Sequence, residues 1–255
     1  MRKIAITILL TSLLAFPVSP WLSNAQAYYP HEYKGRQYYE QRGDIVWDVP
    51  SEKKWIALTF DDGPDPAYTP QILELLKQYH AKATFFVIGT RVEQFPNLVK
   101  QEVNDEHEIA NHSFHHVYMN HSSVASIQQE ISQTQAVISK ITGQPAVLFR
   151  PPGGVYNDVI VQASKLTHTQ VIMWSWHQDT KDWNKPGVDR IVHQVVDHAK
   201  NGDIVLFHDH VNGSSQTVQA LKKILPALQA IGFRFVTVSE LLEQKNLNYF
   251  NEETD

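Results

Sequence analysis

From Trp55 onward, short apolar runs alternate with longer stretches of mixed polarity at a steady pace. The β-rich runs are 55–60 (WIALTF), 83–89 (ATFFVIG), 107–114 (HEIANHSF), 146–152 (AVLFRPP), 169–176 (TQVIMWSW), 203–209 (DIVLFHD) and 233–238 (FRFVTV). They are rich in β-branched and aromatic residues, and several are apolar almost throughout, as strands covered on both faces are. The stretches between them carry helical spacing and helix punctuation. Thr69-Pro70 predicts an N-cap and a first-turn proline before ILELLKQYH, and Pro96 opens LVKQEVN in the same way. Ser122 or Ser123 precedes a long amphipathic run that Gly143 ends, and Gly202 and Gly232 close two later helices. Strand–helix alternation repeated seven or eight times implies parallel strands with crossover helices. With no Gly-rich dinucleotide turn after the first strand, the pattern suits an α/β fold of the (β/α) barrel type better than an open sheet.

The ends of the chain read differently. Arg2 and Lys3 precede an apolar stretch from Ile4 to about Phe16, then Pro17, Pro20 and Ala25-Gln26-Ala27. These are the three parts of a secretory signal peptide, expected over 1–27 with cleavage after Ala27; a retained signal anchor is the alternative. The stretch is short for a membrane span, and no stable membrane insertion is expected once the signal is cleaved. Residues 28–50 are rich in Tyr, charge and Gln without an apolar period, and read as a spacer or a segment draped over the domain. A single folded domain is expected over 51–245, with a tail over 246–255.

A barrel gathers its functional groups at the C-terminal ends of its strands. Nearly every unusual polar cluster lies there. Asp61-Asp62 ends the first run, His112 to His116 the third, Arg150 the fourth and His208-Asp209 the sixth, while Asp179 to Trp183 follows the fifth. Two His at i, i+4 (His112, His116) can converge on one metal, and His115 offers an i, i+3 alternative. With a carboxylate from another strand end they form a His₂Asp set that suits Zn²⁺ or a similar divalent ion, and equally Fe(II) for oxygen chemistry. The Asp61-Asp62 doublet then has a rationale: one carboxylate for the ion and a neighbouring one to take a proton from water. A turn with one Asx-type hydrogen bond and a solvated second Asp is the plain alternative.

Composition narrows the field. The chain has 255 residues, 42% of them hydrophobic, enough for a full core. It has no Cys, so a disulfide framework, a thiolate metal site and a lipoprotein anchor are excluded. The formal charge of −5 argues against nucleic acid as the partner, and loss of Arg2 and Lys3 with the signal would take it to −7.

Thr59-Phe60-Asp61-Asp62-Gly63-Pro64 together with His112-Ser113-x-x-His116 resembles the first two motifs of the polysaccharide deacetylases, the family-4 carbohydrate esterases with a NodB-homology domain. Phe149 to Gly153 resembles the third motif, Asp179 to Trp183 the fourth and Ile204 to Asp209 the fifth, in the family's order over about residues 53–243. The resemblance implies a single distorted (β/α) barrel with seven or eight strands. It implies that Asp62, His112 and His116 bind a divalent metal, Zn²⁺ being the leading ion, and so selects His116 over His115. Asp61 would be the general base, tuned by Arg150. His208 would protonate the leaving amine, oriented by Asp182. A backbone N–H at Gly153 would support the oxyanion, Trp183 and Leu206 would wall the acetyl pocket, and Ser113 would brace the His loop. One departure stands out: the family often has an aromatic residue and then Gly after Arg-Pro-Pro, where this chain has Gly153-Gly154, so a groove-shaping ring is missing and a floppier loop is expected.

The reading is a metal-dependent N-deacetylase acting on GlcNAc-type polymers, a monomer secreted to a Gram-positive cell envelope with peptidoglycan as its partner. Chitin-like oligomers come next as substrate. The rivals are an acetylxylan O-deacetylase and a non-catalytic glycan-binding module on the same barrel. Trp176, Trp183 and Tyr156 could stack on sugars, His210 could contact substrate, and His177, His193 and His198 read as surface or loop residues.

Overall fold

A computed structural model describes residues 34–244. The expected signal peptide, its cleavage site and the tail over 246–255 lie outside the described residues. All seven predicted runs form strands: β2 (Trp55–Asp61), β3 (Ala83–Val87), β4 (Glu108–Asn111), β5 (Leu148–Phe149), β6 (Gln170–Ile172), β7 (Asp203–His208) and β8 (Arg234–Phe235). An eighth, β1 (Ile45–Val46), precedes them. Every pairing is parallel, in the order β1-β6-β5-β4-β3-β2-β7, with β8 beside the first two residues of β2. This is the curled sheet of a distorted (β/α) barrel in a single domain. Among the described residues no helix is long and apolar enough to cross a membrane.

Helix α1 (Arg36–Gln41) precedes β1. The crossovers are α2 (Thr69–Gln78), α3 (Gly89–Gln94) with α4 (Pro96–Asn104), α5 (Val124–Thr142), α6 (Asp158–Leu166), α7 (Val188–Val196) and α8 (Thr217–Ala230). Ser123 caps α5 by accepting from Ser126 N at 3.2 Å, and Gly143 ends it in the left-handed region. At α2 the structure differs from expectation. Thr69 is already helical, and its Oγ1 donates to Asp209 Oδ2 at 2.5 Å instead of capping. Asp65 Oδ1 receives the N–H groups of Ala67 and Tyr68 at 2.7 and 3.0 Å.

The pleat sends alternate side chains to opposite faces, and this alone sorts core from site. Outward residues such as Phe60, Phe85 and Phe207, register partners whose rings stack at 5.0 and 5.6 Å, pack under α2 and α8. Inward, Ala57, Phe86, Ala110, Leu148, Ile172 and Ile204 form one buried layer inside the barrel. Stepping two residues at a time from that layer toward the C-terminal ends reaches Thr59 and Asp61, His112, Arg150, Trp174, Leu206 and His208. Five strands thus deliver their chemistry to one mouth.

Residues 34–50, read from sequence as part of a spacer or of a segment draped over the domain, are built into it. β1 pairs with β6 through Ile45↔Val171 and Val46↔Ile172. Trp47 is fully buried and meets Tyr156 edge-on at 5.2 Å, while Tyr39 meets Tyr156 at 5.7 Å. Tyr156, considered for sugar stacking, is therefore used in packing. A two-residue strand and a six-residue helix are too short to print a period, which is why composition read as a linker. The ring then closes without a regular ladder: Val49 N–H donates to Gly202 O at 2.9 Å, Ser175 N–H to Ile204 O at 3.0 Å, and Asp179 bridges Leu206.

Gly202 holds φ +84, and a Cβ there would lie 1.7 Å from the Val49 carbonyl oxygen. Gly202→Ala should therefore destabilise the protein by at least about 2 kcal/mol, from left-handed strain plus displacement of the N-terminal segment. Urea denaturation followed by Trp fluorescence measures it. A loss below about 0.5 kcal/mol would mean this contact does not constrain the fold.

Candidate active site

Asp61 obeys the pleat and points into the barrel; Asp62 leaves it. Asp62 adopts φ +73, a conformation rare for a side-chain-bearing residue, and this swings its carboxylate toward the His loop. Its Oδ1 lies 3.3 Å from His112 Nε2 and 3.1 Å from His116 Nε2, and the three ligand atoms all fall within 4.8 Å of one another. His112 Nδ1 sits 2.7 Å from the Arg150 carbonyl, so Nδ1 carries the proton and the Nε2 lone pair faces Asp62. Asp62 Oδ1 is buried without a hydrogen-bond donor. An anionic oxygen with no donor, facing imidazole lone pairs, is a donor set that fits a divalent cation.

The loop after β4 decides which histidine joins. Ser113 Oγ accepts the His116 N–H at 3.0 Å, and the Ser113 carbonyl accepts Gly89 N–H at 3.0 Å. Glu130 of α5 takes the N–H groups of Phe114 and His115 at 2.9 and 2.8 Å and holds His115 Nδ1 at 2.8 Å. His115 is thus engaged on the helix side while His116 meets Asp62. Sequence spacing left that choice open, and Glu130 was not singled out.

Arg150 is completely buried. Its Nη1 donates to Asp61 Oδ1 at 2.7 Å and Thr59 Oγ1 at 2.8 Å, Nη2 to Met173 O at 2.8 Å and Nε to Ile172 O at 3.2 Å. Asp61 Oδ2 stays on the His112 side, 3.8 Å from Nε2. On β7, His208 is the register partner of Asp61. Asp182 receives His208 Nδ1 at 2.7 Å and His208 N–H at 2.8 Å, and is itself fixed by Thr217 Oγ1 at 2.6 Å and Trp183 N–H at 3.0 Å. Burial alone would lower the His208 pKa. The Asp182 charge and hydrogen bond, with Asp61 and Asp62 beyond, override it and raise it to about 9.

Asp61, Asp62, His112, His116 and His208 line one cavity of about 520 Å³, with Leu206, Trp183 and Gly153 in its wall. Gly154 N–H is used on Pro151 O at 3.1 Å, while Gly153 N–H meets no acceptor among the described residues. Tyr118, Trp174 and Asn212 also line the cavity and were missed from sequence; Asp179, which opens the cluster after the fifth run, and His210, considered only as a possible contact, line it too. Trp174 was legible as the next inward step after Ile172. Tyr118 lies in an irregular loop with no period to reveal it. Gly153 and Gly154 hold φ +68 and +66, and a Cβ on either would come within 2.5 Å of the Tyr118 or Trp174 ring respectively. The glycine pair thus makes room for two rings from elsewhere in the chain. Trp176 is exposed beneath the Arg36 guanidinium, outside the cavity lining. His177, His193 and His198 are engaged by Asp203, Asp197 and the Gln194 carbonyl.

Comparison with known proteins places this geometry in a class. The profile of the polysaccharide deacetylases matches residues 48–172. A peptidoglycan-N-acetylglucosamine deacetylase of Bacillus cereus is 52% identical over 211 residues, spanning 83% of this chain and 99% of that protein. The peptidoglycan-N-acetylmuramic acid deacetylase PdaC of Bacillus subtilis is 39% identical over 77% of this chain, which spans 40% of PdaC. The crystal structure of a peptidoglycan N-acetylglucosamine deacetylase bound to 4-naphthalen-1-yl-N-oxidanyl-benzamide matches with TM-score 0.77 and 33% identity, over 80% of this chain and 95% of that one. The chain belongs to the polysaccharide deacetylase family, the family-4 carbohydrate esterases, hydrolases that act on the amide bonds of N-acetyl groups.

Because Asp182 stabilises the protonated ring, Asp182→Asn should move the His208 titration down from about 9 toward the ordinary imidazole value. NMR titration of the imidazole resonances in chelator-treated protein reads this. An unchanged midpoint would show that Asp182 does not set the His208 charge.

Proposed function

We propose that this protein is a metal-dependent peptidoglycan N-acetylglucosamine deacetylase that works outside the cell, at the envelope of a Gram-positive bacterium. The observation that carries the chemistry is the pair of proton-handling units on either side of the triad: Asp61 held by Arg150, and His208 held by Asp182. The likeness to the Bacillus cereus relative over 99% of its length supports peptidoglycan ahead of chitin oligomers or xylan.

Asp62, His112 and His116 would hold a divalent cation, with Zn²⁺ the expected ion. When bound, it supplies Lewis-acid activation of water and of the acetamide carbonyl. Asp61 accepts the proton of the attacking water; its Oδ1 is tied to Arg150, so Oδ2 does this. The water oxygen bonds to the acyl carbon, and the Gly153 N–H donates to the oxygen that gains charge. His208 gives its Nε2 proton to the departing nitrogen as the C–N bond breaks, since Nδ1 is committed to Asp182. Products are acetate and a free amine. Leu206 and Trp183 enclose the methyl group.

Acetate release should be measured from peptidoglycan, chitin oligomers and acetylxylan, with metal content determined on the same samples. Release should be greatest from peptidoglycan and vanish on chelation. Asp61→Asn and His115→Ala should keep the metal, the former without turnover, whereas Asp62→Asn and His116→Ala should lose it. Equal metal loss from Asp61→Asn and Asp62→Asn would mean the roles within the doublet are misassigned.

An amine leaves only with a proton, so His208→Ala should slow amide hydrolysis by roughly 10²–10⁴-fold. An aryl acetate has a good leaving group and should suffer far less. Equal loss of kcat/KM on both substrates would remove His208 as the acid.

A further inference from the structure

Tyr118 is 70% exposed, more than any other large hydrophobic side chain among the described residues, yet it lines the cavity that holds the triad. Leaving an aromatic face in water forgoes the burial that usually fixes such a ring. Nor is the ring loose on a free loop. The next residue, Met119, is fully buried against the outer core, and the Tyr118 ring stands edge-on to the His116 ring with centroids 6.0 Å apart. Its edge rests on Gly153, where a Cβ would come within 2.5 Å of Cε1 and 2.9 Å of Cδ1. No side chain at 153 could coexist with the ring in this position. The hydroxyl has no hydrogen-bond partner among the described residues, so packing against His116 and Gly153 sets the ring.

We infer that Tyr118 is a specificity-determining residue whose exposed face receives a pyranose ring next to the sugar being deacetylated. This rests on the glycan-deacetylase reading above. A pyranose presents an apolar C–H face, and a rigid, wet aromatic face is its complement: stacking removes both from water without requiring a matched hydrogen bond. The reacting sugar must bring its acetamide to the floor of the cavity, between Asp61 and His208. Tyr118 stands at the mouth, where a linear polymer continues past the reacting unit. Its contribution therefore depends on chain length, and a single sugar at the floor does not reach it. The ring follows His116 by two residues, so the loop that supplies a metal-ligand candidate also supplies the platform.

Affinity for tetra-N-acetylchitotetraose and for N-acetylglucosamine should be measured by calorimetry on the full, metal-loaded chain carrying Asp61→Asn to stop turnover. The same background is combined with Tyr118→Ala or Tyr118→Phe. Tyr118→Ala should weaken the tetramer roughly three- to tenfold and reduce the ratio of tetramer to monomer affinity, while Tyr118→Phe retains both. Equal tetramer affinity in the Ala variant and its parent overturns the assignment, as does a Phe variant as weak as Ala, or a parent that does not bind the tetramer. Should the wild-type chain release no acetate from any N-acetylated glycan while tetramer binding still falls in the Ala variant, the deacetylase reading fails and the platform stands.

Discussion

A single guanidinium ties the interior of this barrel together. Arg150 is enclosed by protein and spends its donors on Thr59 and Asp61 of β2 and on the carbonyls of Ile172 and Met173 at the end of β6, while its own carbonyl takes the Nδ1 proton of His112. Its plane lies over the Phe86 ring, with Cζ 4.0 Å from the centroid. A buried charge is tolerated when it is paired and its remaining donors are met, and breaking such a pair typically costs about 3–5 kcal/mol because the partner is left unpaired. One residue therefore sets the position of the presumed base and, through a backbone atom, the tautomer of a metal-ligand candidate. A Lys in its place could not supply that planar fork.

The Asp61-Asp62 doublet looks wasteful in sequence because adjacent carboxylates repel. The fold separates them by conformation. Asp61 continues the extended backbone and faces Arg150, whereas Asp62 at φ +73 is turned toward two imidazoles. A left-handed conformation at such a residue costs on the order of 1–3 kcal/mol and persists where surrounding structure over-determines it. Here Asp209, buried behind Gly63 and bonded to Thr69, packs so closely that a Cβ at Gly63 would lie 2.1 Å from its Oδ2.

Much of the architecture was legible because parallel strands buried on both faces announce themselves as apolar runs, and because period-two alternation fixes what faces inward. That rule alone carries Asp61, His112, Arg150, Leu206 and His208 to the same mouth. The doublet and the His pair were legible from chemistry and spacing. Glu130, which disposes of His115, was not, since it acts from a helix with no local signal. Tyr118 and the arm around Trp47 were hidden for the same reason: their positions are set by tertiary packing of irregular chain. The glycine pair at 153–154 read as a loss until the rings that need its space were in view.

The ring's closure has a kinetic meaning. β2 through β6 add to one another in chain order, each next to its predecessor, but β1 comes first in the chain and finds its partner near residue 171. Val49 then waits for Gly202, about a hundred and fifty residues further on. Contacts of such separation carry a loop-closure cost that local pairings do not, so the seam sits among the late events of folding. Until β6 and the helix before it have been made, the segment carrying β1 has no seat, and Trp47 and Tyr39 stay available to whatever receives a nascent chain.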